Sequence, residues 1–161
     1  MEPVPEFLSA LAILTRHKAD FIVVGGVAAV LWGAPVSTFD LDILYRQASD
    51  NVERLGLALR EMGAVYRDPA GRLIEPDSAR LAMGGHHLLT TRFGPLDVLA
   101  TIGKSLSYDD LVPRTCRLDL REAMVLVLDL RTIIETKEQA GRSKDLLMLP
   151  ILRQTLQMSE S

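Results

Sequence analysis

The sequence predicts an α/β fold in which a mixed β-sheet is flanked by helices and followed by a C-terminal helical cap. Short apolar runs rich in β-branched residues alternate with helical periodicity in the first half, and a series of strands precedes helices in the second. The 161 residues, 48% hydrophobic and 24% charged, suit one compact domain over 1–161. We expect its sheet core at about 20–128 and its C-terminal helices at about 129–157.

The first half of the chain predicts three helices and two strands. Apolar residues at helical spacing predict the first helix over 6–17, and apolar periodicity that ends at Gly63 predicts the third over 49–64, capped by Ser49 or Asp50. The β-branched run "FIVVGG" and the alternating run "FDLDILY" are typical of strands. Between them, "VAAVLW" suits a short helix ended by Gly33 and Pro35.

The second half predicts four strands and then two helices. "RDPAGR" indicates a turn, and the polar segment from there to about Gly85 shows little periodicity. "HHLLTTRFGPLDVLA" predicts two strands joined at residues 93–95, and "RTCRLDL" and "MVLVLDL" predict two more. From Asp129 the pattern becomes helical, and Pro150 should kink or restart the last helix.

Composition excludes several classes of protein. The net charge of −3 gives no global basic field, so nucleic acid could bind only through a local patch. The single cysteine, Cys116, excludes an internal disulfide framework. No apolar run reaches about 18 residues, and the N-terminus lacks the basic start of a signal peptide. We therefore expect a cytoplasmic protein that does not contact a membrane.

Two carboxylates stand out in the apolar run "FDLDILY". Because side chains alternate along a strand, Asp40 and Asp42 should point to the same face, with Cα atoms roughly 6.5–7 Å apart. Two ionised carboxylates so close repel each other unless a cation intervenes, and Mg²⁺ binds such groups together with phosphates. The alternative is that both acids lie on the solvent face of an edge strand.

Three further features favour a phosphate and metal site. Gly25 and Gly26 follow a predicted strand, where backbone N–H groups can approach a phosphate without interference from a Cβ atom. The hydroxyl of Thr38 could reach a phosphate or hold the turn. Asp97 lies in the apolar run "GPLDVLA" and could act as a third metal ligand or as a general base.

Together, "VVGGVAAVLWGAPVSTFDLDILY", "TTRFGPLDVLA" and "TKEQAGRSKDLLML" resemble the nucleotidyltransferase superfamily related to polymerase beta. The likeness is greatest to small prokaryotic proteins related to the abortive-infection and toxin–antitoxin nucleotidyltransferases. The resemblance implies a nucleotidyltransferase-like fold and a Mg²⁺ or Mn²⁺ cofactor. The residues it implies as metal ligands and catalytic groups are Asp40, Asp42 and Asp97. Those it implies for the nucleotide are Gly25, Gly26, Thr38, Lys137 and Lys144, with Asp145 orienting the lysines.

The activity implied by this resemblance is transfer of an NMP unit from an NTP donor to a hydroxyl of tRNA, a partner protein or a small molecule. A role in a toxin–antitoxin or defence system, with a homo-oligomer or an antitoxin-like partner, is implied as well. Such relatives often carry arginine at the position of Val36. That departure leaves open the alternative of a degenerate protein that binds nucleotide or a partner without turnover.

For residues outside these motifs we expect structural roles without catalytic function. His86 and His87 are adjacent, so on a strand they face opposite sides, and we expect turn or strand-surface roles. Cys116 has no nearby partner for catalysis, and we expect it to be buried and inert.

Overall fold

A seven-stranded mixed sheet forms the centre of the computed structural model, which describes residues 6–160. Its strands lie in the order β3-β4-β5-β2-β1-β9-β8, and β6 and β7 form a separate two-stranded sheet. The strands are β1 (Phe21–Val24), β2 (Leu41–Tyr45), β3 (Val65–Tyr66), β4 (His86–Thr91), β5 (Gly94–Leu99), β6 (Thr101–Ile102), β7 (Leu106–Ser107), β8 (Thr115–Asp119) and β9 (Met124–Leu128).

Helices flank this sheet and end the chain. They are α1 (Phe7–Arg16), α2 (Gly25–Leu31), α3 (Ser49–Glu61), α4 (Ser78–Ala82), α5 (Tyr108–Leu111), α6 (Leu130–Ala140) and α7 (Ser143–Ser159), with a 3₁₀ turn at Val112–Arg114. Contacts join α1 to α3 and α2 to α6, while α6 packs on α7. The predicted α/β fold with a mixed sheet and C-terminal helices is thus confirmed.

The central strands are buried, and the β3–β4 side of the sheet is open on one face. All four residues of β1 are buried, as apolar β-branched runs at the centre of a sheet usually are. In β4 the side chains alternate: His87, Leu89 and Thr91 are buried, and the three between them are exposed. One face of β4 therefore stays accessible to solvent.

The register of the sheet aligns one row of residues across four strands. Val24 pairs with Asp42 in antiparallel β1 and β2, and Asp42 pairs with Asp97 in parallel β2 and β5. Leu88 of β4 lies opposite Asp97, and the backbone N–H of Arg67 donates to the Leu88 carbonyl at 3.0 Å. Because residues directly opposite share a face, this row places Asp42, Asp97 and Arg67 on the same side.

Some boundaries differ from those predicted. The strand β2 begins at Leu41, so Asp40 lies one residue before it, and α2 begins at Gly25 instead of Val27. The residue that precedes α3 is Ala48, which offers no side-chain cap. Pro150 lies inside a continuous α7. The short elements β3, α4, β6, β7 and α5 carry too few residues for their periodicity to be recognised.

The structure also corrects two expectations about single residues. His87 is buried: its ring nitrogens lie 2.6 Å from the Tyr66 hydroxyl and 2.9 Å from the Gly84 carbonyl oxygen. Cys116 is exposed, since it belongs to the edge strand β8. Asp110 forms a capping box with Ser107 at the start of α5. In the part of the chain that the structure describes, every helix is too short or too polar to cross a bilayer.

Candidate active site

The site is built where β2 and β5 run side by side. Asp42 and Asp97 are directly paired in the parallel register, which brings the two carboxylates onto neighbouring strands of one face. Asp40 precedes β2 by one residue and is partly buried. Strand alternation predicted that Asp40 and Asp42 share a face, and the resemblance implied Asp97 beside them; the sheet register provides the reason for the approach of Asp42 to Asp97.

Asp42 is the most perturbed acid of this group. Burial first, and then the neighbouring carboxyls of Asp97 and Asp40, together raise the pKa of the Asp42 carboxyl to about 7, while the charge of Lys137 opposes this shift. The Asp42 Oδ1 atom is buried and has no hydrogen-bond partner among residues 6–160. A buried carboxylate oxygen without a partner is costly, and a bound cation is one way of compensating it.

The two glycines allow the first turn of α2 to lie against the acidic strand. Gly25 has a positive φ of +68°, and a Cβ atom there would lie 2.2 Å from Asp42 Oδ2. A Cβ atom on Gly26 would lie 2.6 Å from the Thr38 hydroxyl, which itself donates to the Asp40 carbonyl at 3.2 Å. No larger residue fits at either position without displacing a neighbour.

A cationic group faces this site from the C-terminal helices. Lys137 on α6 lines a cleft of about 100 Å³ together with Gly25, Asp42 and Asp145. Its ammonium group lies 3.4 Å from Asp145 Oδ1, and the Asp145 side chain is only 2% exposed. Arg142 donates to the same carboxylate at 2.7 Å. Burial raises the pKa of Asp145, but Arg142 and Lys137 outweigh burial and leave the pKa below its usual value.

Of the residues expected at the site, Gly25, Asp42, Lys137 and Asp145 line this cleft, whereas Gly26, Thr38, Asp40, Asp97 and Lys144 do not. Lys144 lies in the first turn of α7, is exposed, and is not among the residues that line the cleft. Asp97 forms an ion pair with Arg67. Between residues 6 and 160, no three acidic, histidine or cysteine side chains converge into a metal-binding group.

Sequence reasoning missed Arg67 as a member of this site. Arg67 was recognised only as the first residue of a turn, because the strand that precedes it has two residues. The sequence indicated no role for Arg142, whose guanidinium contacts the buried Asp145. The i, i+3 spacing of Arg142 and Asp145 is the signal that could have identified this pair.

The residues present fit a hard divalent cation. Mg²⁺ takes oxygen ligands and uses one or two carboxylates together with substrate phosphates, so a closed cage of three acids is not required. Asp42 and Asp97 supply such a pair, and the unpartnered Asp42 Oδ1 supplies a buried acceptor. These two carboxylates are the groups that would hold the ion.

A larger cavity of about 250 Å³ lies elsewhere, between α3 and residues 75–78. Its lining includes Glu53, Glu75 and Asp77 alongside Arg60. It contains neither Asp42 nor Asp97, the two paired carboxylates that we call the acidic row. The smaller cleft, with its buried acid and facing lysine, is the one whose groups have perturbed pKa values, which is typical of functional sites.

Comparison with known proteins agrees with this geometry at the level of the fold. The chain has a nucleotidyltransferase-like fold. A provisionally assigned nucleotidyltransferase from Thermotoga maritima matches it with a TM-score of 0.58 and 14% identity, over 89% of this chain and 88% of that one. An antigenic nucleotidyltransferase-like protein from Paracoccidioides brasiliensis matches with a TM-score of 0.54 and 15% identity, over 94% and 78%. No family model and no curated protein sequence matches the chain.

Proposed function

We propose that this protein is a metal-dependent nucleotidyltransferase that moves an NMP unit from an NTP to a hydroxyl acceptor. The observation that carries the proposal is the partly buried Asp42 carboxylate with its buried, unpartnered Oδ1 atom, which lies between Asp97 and the backbone of Gly25 and lines the same cleft as Lys137. An acid with so high a pKa is a poor choice for a structural role, since its ionisation at neutral pH is unfavourable without a cation.

Each residue has a distinct part in the proposed reaction. Asp42 and Asp97 would hold Mg²⁺ or Mn²⁺, which neutralises phosphate charge and activates the attacking hydroxyl. Gly25 and Gly26 let the first turn of α2 lie against the side chains of Asp42 and Thr38, and their backbone N–H groups are proposed to contact phosphate oxygens.

The cationic side of the cleft completes the proposed binding site. The Lys137 ammonium group opposes the negative charge of the triphosphate, while Asp145 holds that lysine in place. Lys144, which is exposed near this corner, is proposed to reach the distal phosphates or the acceptor. Asp40 adds negative charge beside Asp42 and is proposed as a further metal ligand.

The acceptor is proposed to be tRNA, a partner protein or a small molecule, within a toxin–antitoxin or defence system of the cytoplasm. The accessible face of β4 adjoins the acidic row, so an acceptor could approach the carboxylates there. A homo-oligomer or an antitoxin-like partner is proposed to cover the remaining surface.

Label transfer tests the proposal and identifies the acceptor class. The protein is incubated with each α-³²P-NTP, Mg²⁺ or Mn²⁺, and in turn with total RNA, lysate proteins and aminoglycosides. We expect label on one class of acceptor, reduced at least about 100-fold in Asp42→Asn and Asp97→Asn. Asp109→Asn, an exposed acid on α5, is the matched control and should retain full transfer. Equal transfer by Asp42→Asn would disprove the proposed site.

A second candidate function is nucleotide or partner binding without turnover. The ion pair between Arg67 and Asp97 favours it, because it occupies the carboxylate that a second metal contact would need. Val36, where arginine is common in similar proteins, is partly buried against the core. Nucleotide binding that depends on Asp42, with no transfer to any acceptor class, would establish this second function.

A further inference from the structure

Arg67 reaches the acidic row from the far side of β4. Its backbone N–H is fixed to the Leu88 carbonyl, and Leu88 lies directly opposite Asp97. Neighbouring strands lie about 4.8 Å apart, so the Cα atoms of Arg67 and Asp97 are separated by roughly 9.6 Å. The arginine side chain must therefore extend across Leu88, which is 45% exposed on that face, to contact Asp97.

This ion pair has the character of an exchangeable contact. The side chains of Arg67 and Asp97 are 34% and 18% exposed, and pairs open to solvent contribute little to stability. Within residues 6–160, the Arg67 side chain makes no other hydrogen bond. The Arg67 guanidinium is thus held only by the Asp97 carboxylate among the described residues.

We propose that Arg67 is an internal counter-ion that occupies the Asp97 carboxylate in the metal-free protein and is displaced when a divalent cation binds Asp42 and Asp97. This inference rests on the proposed function, because it presupposes that the two carboxylates bind a metal. Arg67 is a positioning residue: the β-sheet register places Asp97 opposite Asp42, and Arg67 holds the Asp97 side chain and compensates its charge until the cation binds. The displaced guanidinium is then free beside the site, where it can pair with a phosphate oxygen.

The neighbouring charges are consistent with an exchange of this kind. Lys137 lines the same cleft as Asp42 and lowers its pKa, while Asp97 is paired with Arg67. In the absence of metal, the charge of Asp42 is therefore opposed by Lys137 and that of Asp97 by Arg67. A divalent ion between the carboxylates would replace the Arg67 contact first, since Lys137 is also held by the buried Asp145.

Metal binding to the purified full-length chain tests this proposal without any measurement of transfer. Mn²⁺ affinity is measured by electron paramagnetic resonance and by titration calorimetry for the wild type, Arg67→Gln and Arg72→Gln. Arg72 belongs to the same loop but pairs with Asp68, so it controls for loss of a nearby charge. We expect the Kd of Arg67→Gln to fall about fivefold, whereas that of Arg72→Gln changes less than twofold.

A second measurement follows Arg67 directly. In ¹⁵N-labelled protein, the Nε–Hε resonance of Arg67, assigned by its absence in Arg67→Gln, is recorded as Mg²⁺ is added. We expect it to move toward the position of a free arginine over the same Mg²⁺ concentrations that saturate the site.

The outcomes separate this proposal from the proposed function. If the wild type binds Mn²⁺ and Arg67→Gln binds it no more tightly, the exchange is disproved and the metal site stands. If neither protein binds Mn²⁺, the metal-dependent function fails and the exchange fails with it. Binding by Arg67→Gln alone would support the exchange in its strongest form.

Discussion

The Asp42 carboxylate lies so close to Gly25 that a Cβ atom on that glycine would be 2.2 Å from Oδ2. Two requirements therefore meet at one position, because Gly25 also has a φ of +68°, which side chains disfavour. At the residue scale, the site therefore requires glycine at position 25 as much as it requires the carboxylate of Asp42.

Replacement of Gly25 by alanine separates these two requirements when it is compared with Gly71→Ala. Gly71 has a similar φ of +73°, but a Cβ atom there would meet nothing within 4 Å, so its substitution carries the backbone strain alone. We expect Gly71→Ala to lower the free energy of unfolding by about 1 kcal/mol and Gly25→Ala by about 3 kcal/mol. Urea unfolding at pH 7 measures both, and equal losses would show that the contact with Asp42 is unimportant.

The raised pKa of Asp42 predicts a pH-dependent stability of the metal-free protein. The folded state holds a proton on Asp42 up to about pH 7, whereas the unfolded chain releases it near the ordinary value of 3.8. The stability that this proton provides is therefore complete at low pH and is lost as the pH rises from about 4 through 7. Asp42→Asn removes this dependence, because an amide does not ionise.

We expect the metal-free wild type to lose on the order of 2 kcal/mol relative to Asp42→Asn between pH 5 and pH 8.5. Urea unfolding of both proteins in EDTA gives the difference, with Asp109→Asn as the unperturbed control. Mg²⁺ should restore the wild type at pH 8.5 and leave Asp42→Asn unchanged. A constant difference between the two proteins at all pH values would contradict the raised pKa.

At the scale of elements, the corner between α6 and α7 fixes the cationic side of the site. At this corner the helices are joined by the buried pair of Lys137 with Asp145 and the exposed pair of Glu138 with Arg153. They differ in burial, since Asp145 is almost inaccessible while both members of the other pair are about half exposed. The exposed pair of Glu138 with Arg153 is therefore a control for the effect of burial on the pair of Lys137 with Asp145.

We expect Asp145→Asn to lower the free energy of unfolding by about 2 kcal/mol at pH 7, and Glu138→Gln by less than about 0.5 kcal/mol. Loss of Asp145 leaves a nearly buried ammonium group without its carboxylate, whereas Arg153 keeps its hydration. The pKa of Asp145 is below its usual value, so its contribution is present above about pH 4 and is lost as the pH falls below that. Urea unfolding at pH 7 and pH 3 measures both effects, and equal losses in the two variants would contradict the role of burial.

At the scale of the whole molecule, local patterns were sufficient for the central strands and the long helices. The apolar runs "FDLDILY" and "GPLDVLA" predicted strands, and the resemblance implied that their acids form one site; the parallel register of β2 and β5 pairs Asp42 with Asp97. The contact of Arg67 with Asp97 could not be predicted, since the two residues are 30 positions apart and are joined only through β4. The burial of His87 could not be predicted, because the hydroxyl groups that contact its ring belong to Tyr45 and Tyr66, which lie on other strands.

The site spans both halves of the molecule, and this predicts one cooperative response to ligand. The cleft is lined by residues of β1, β2 and α2 together with residues of α6 and α7. The single tryptophan, Trp32, donates to the Leu128 carbonyl at 2.8 Å and so reports on the contact of α2 with the sheet. A ligand that bridges the cleft stabilises every element it touches by mass action.

We expect urea unfolding followed by Trp32 fluorescence and by circular dichroism to give coincident transitions in the absence of ligand. A nonhydrolysable NTP with Mg²⁺ at 100 times its Kd should stabilise the protein by about 2.7 kcal/mol in both signals. Lys137→Met should retain the coincident transitions but lose most of the shift, because the lysine that opposes the triphosphate is absent. A shift confined to one of the two signals would show that the C-terminal helices unfold separately from the sheet, and that the cleft does not unite them.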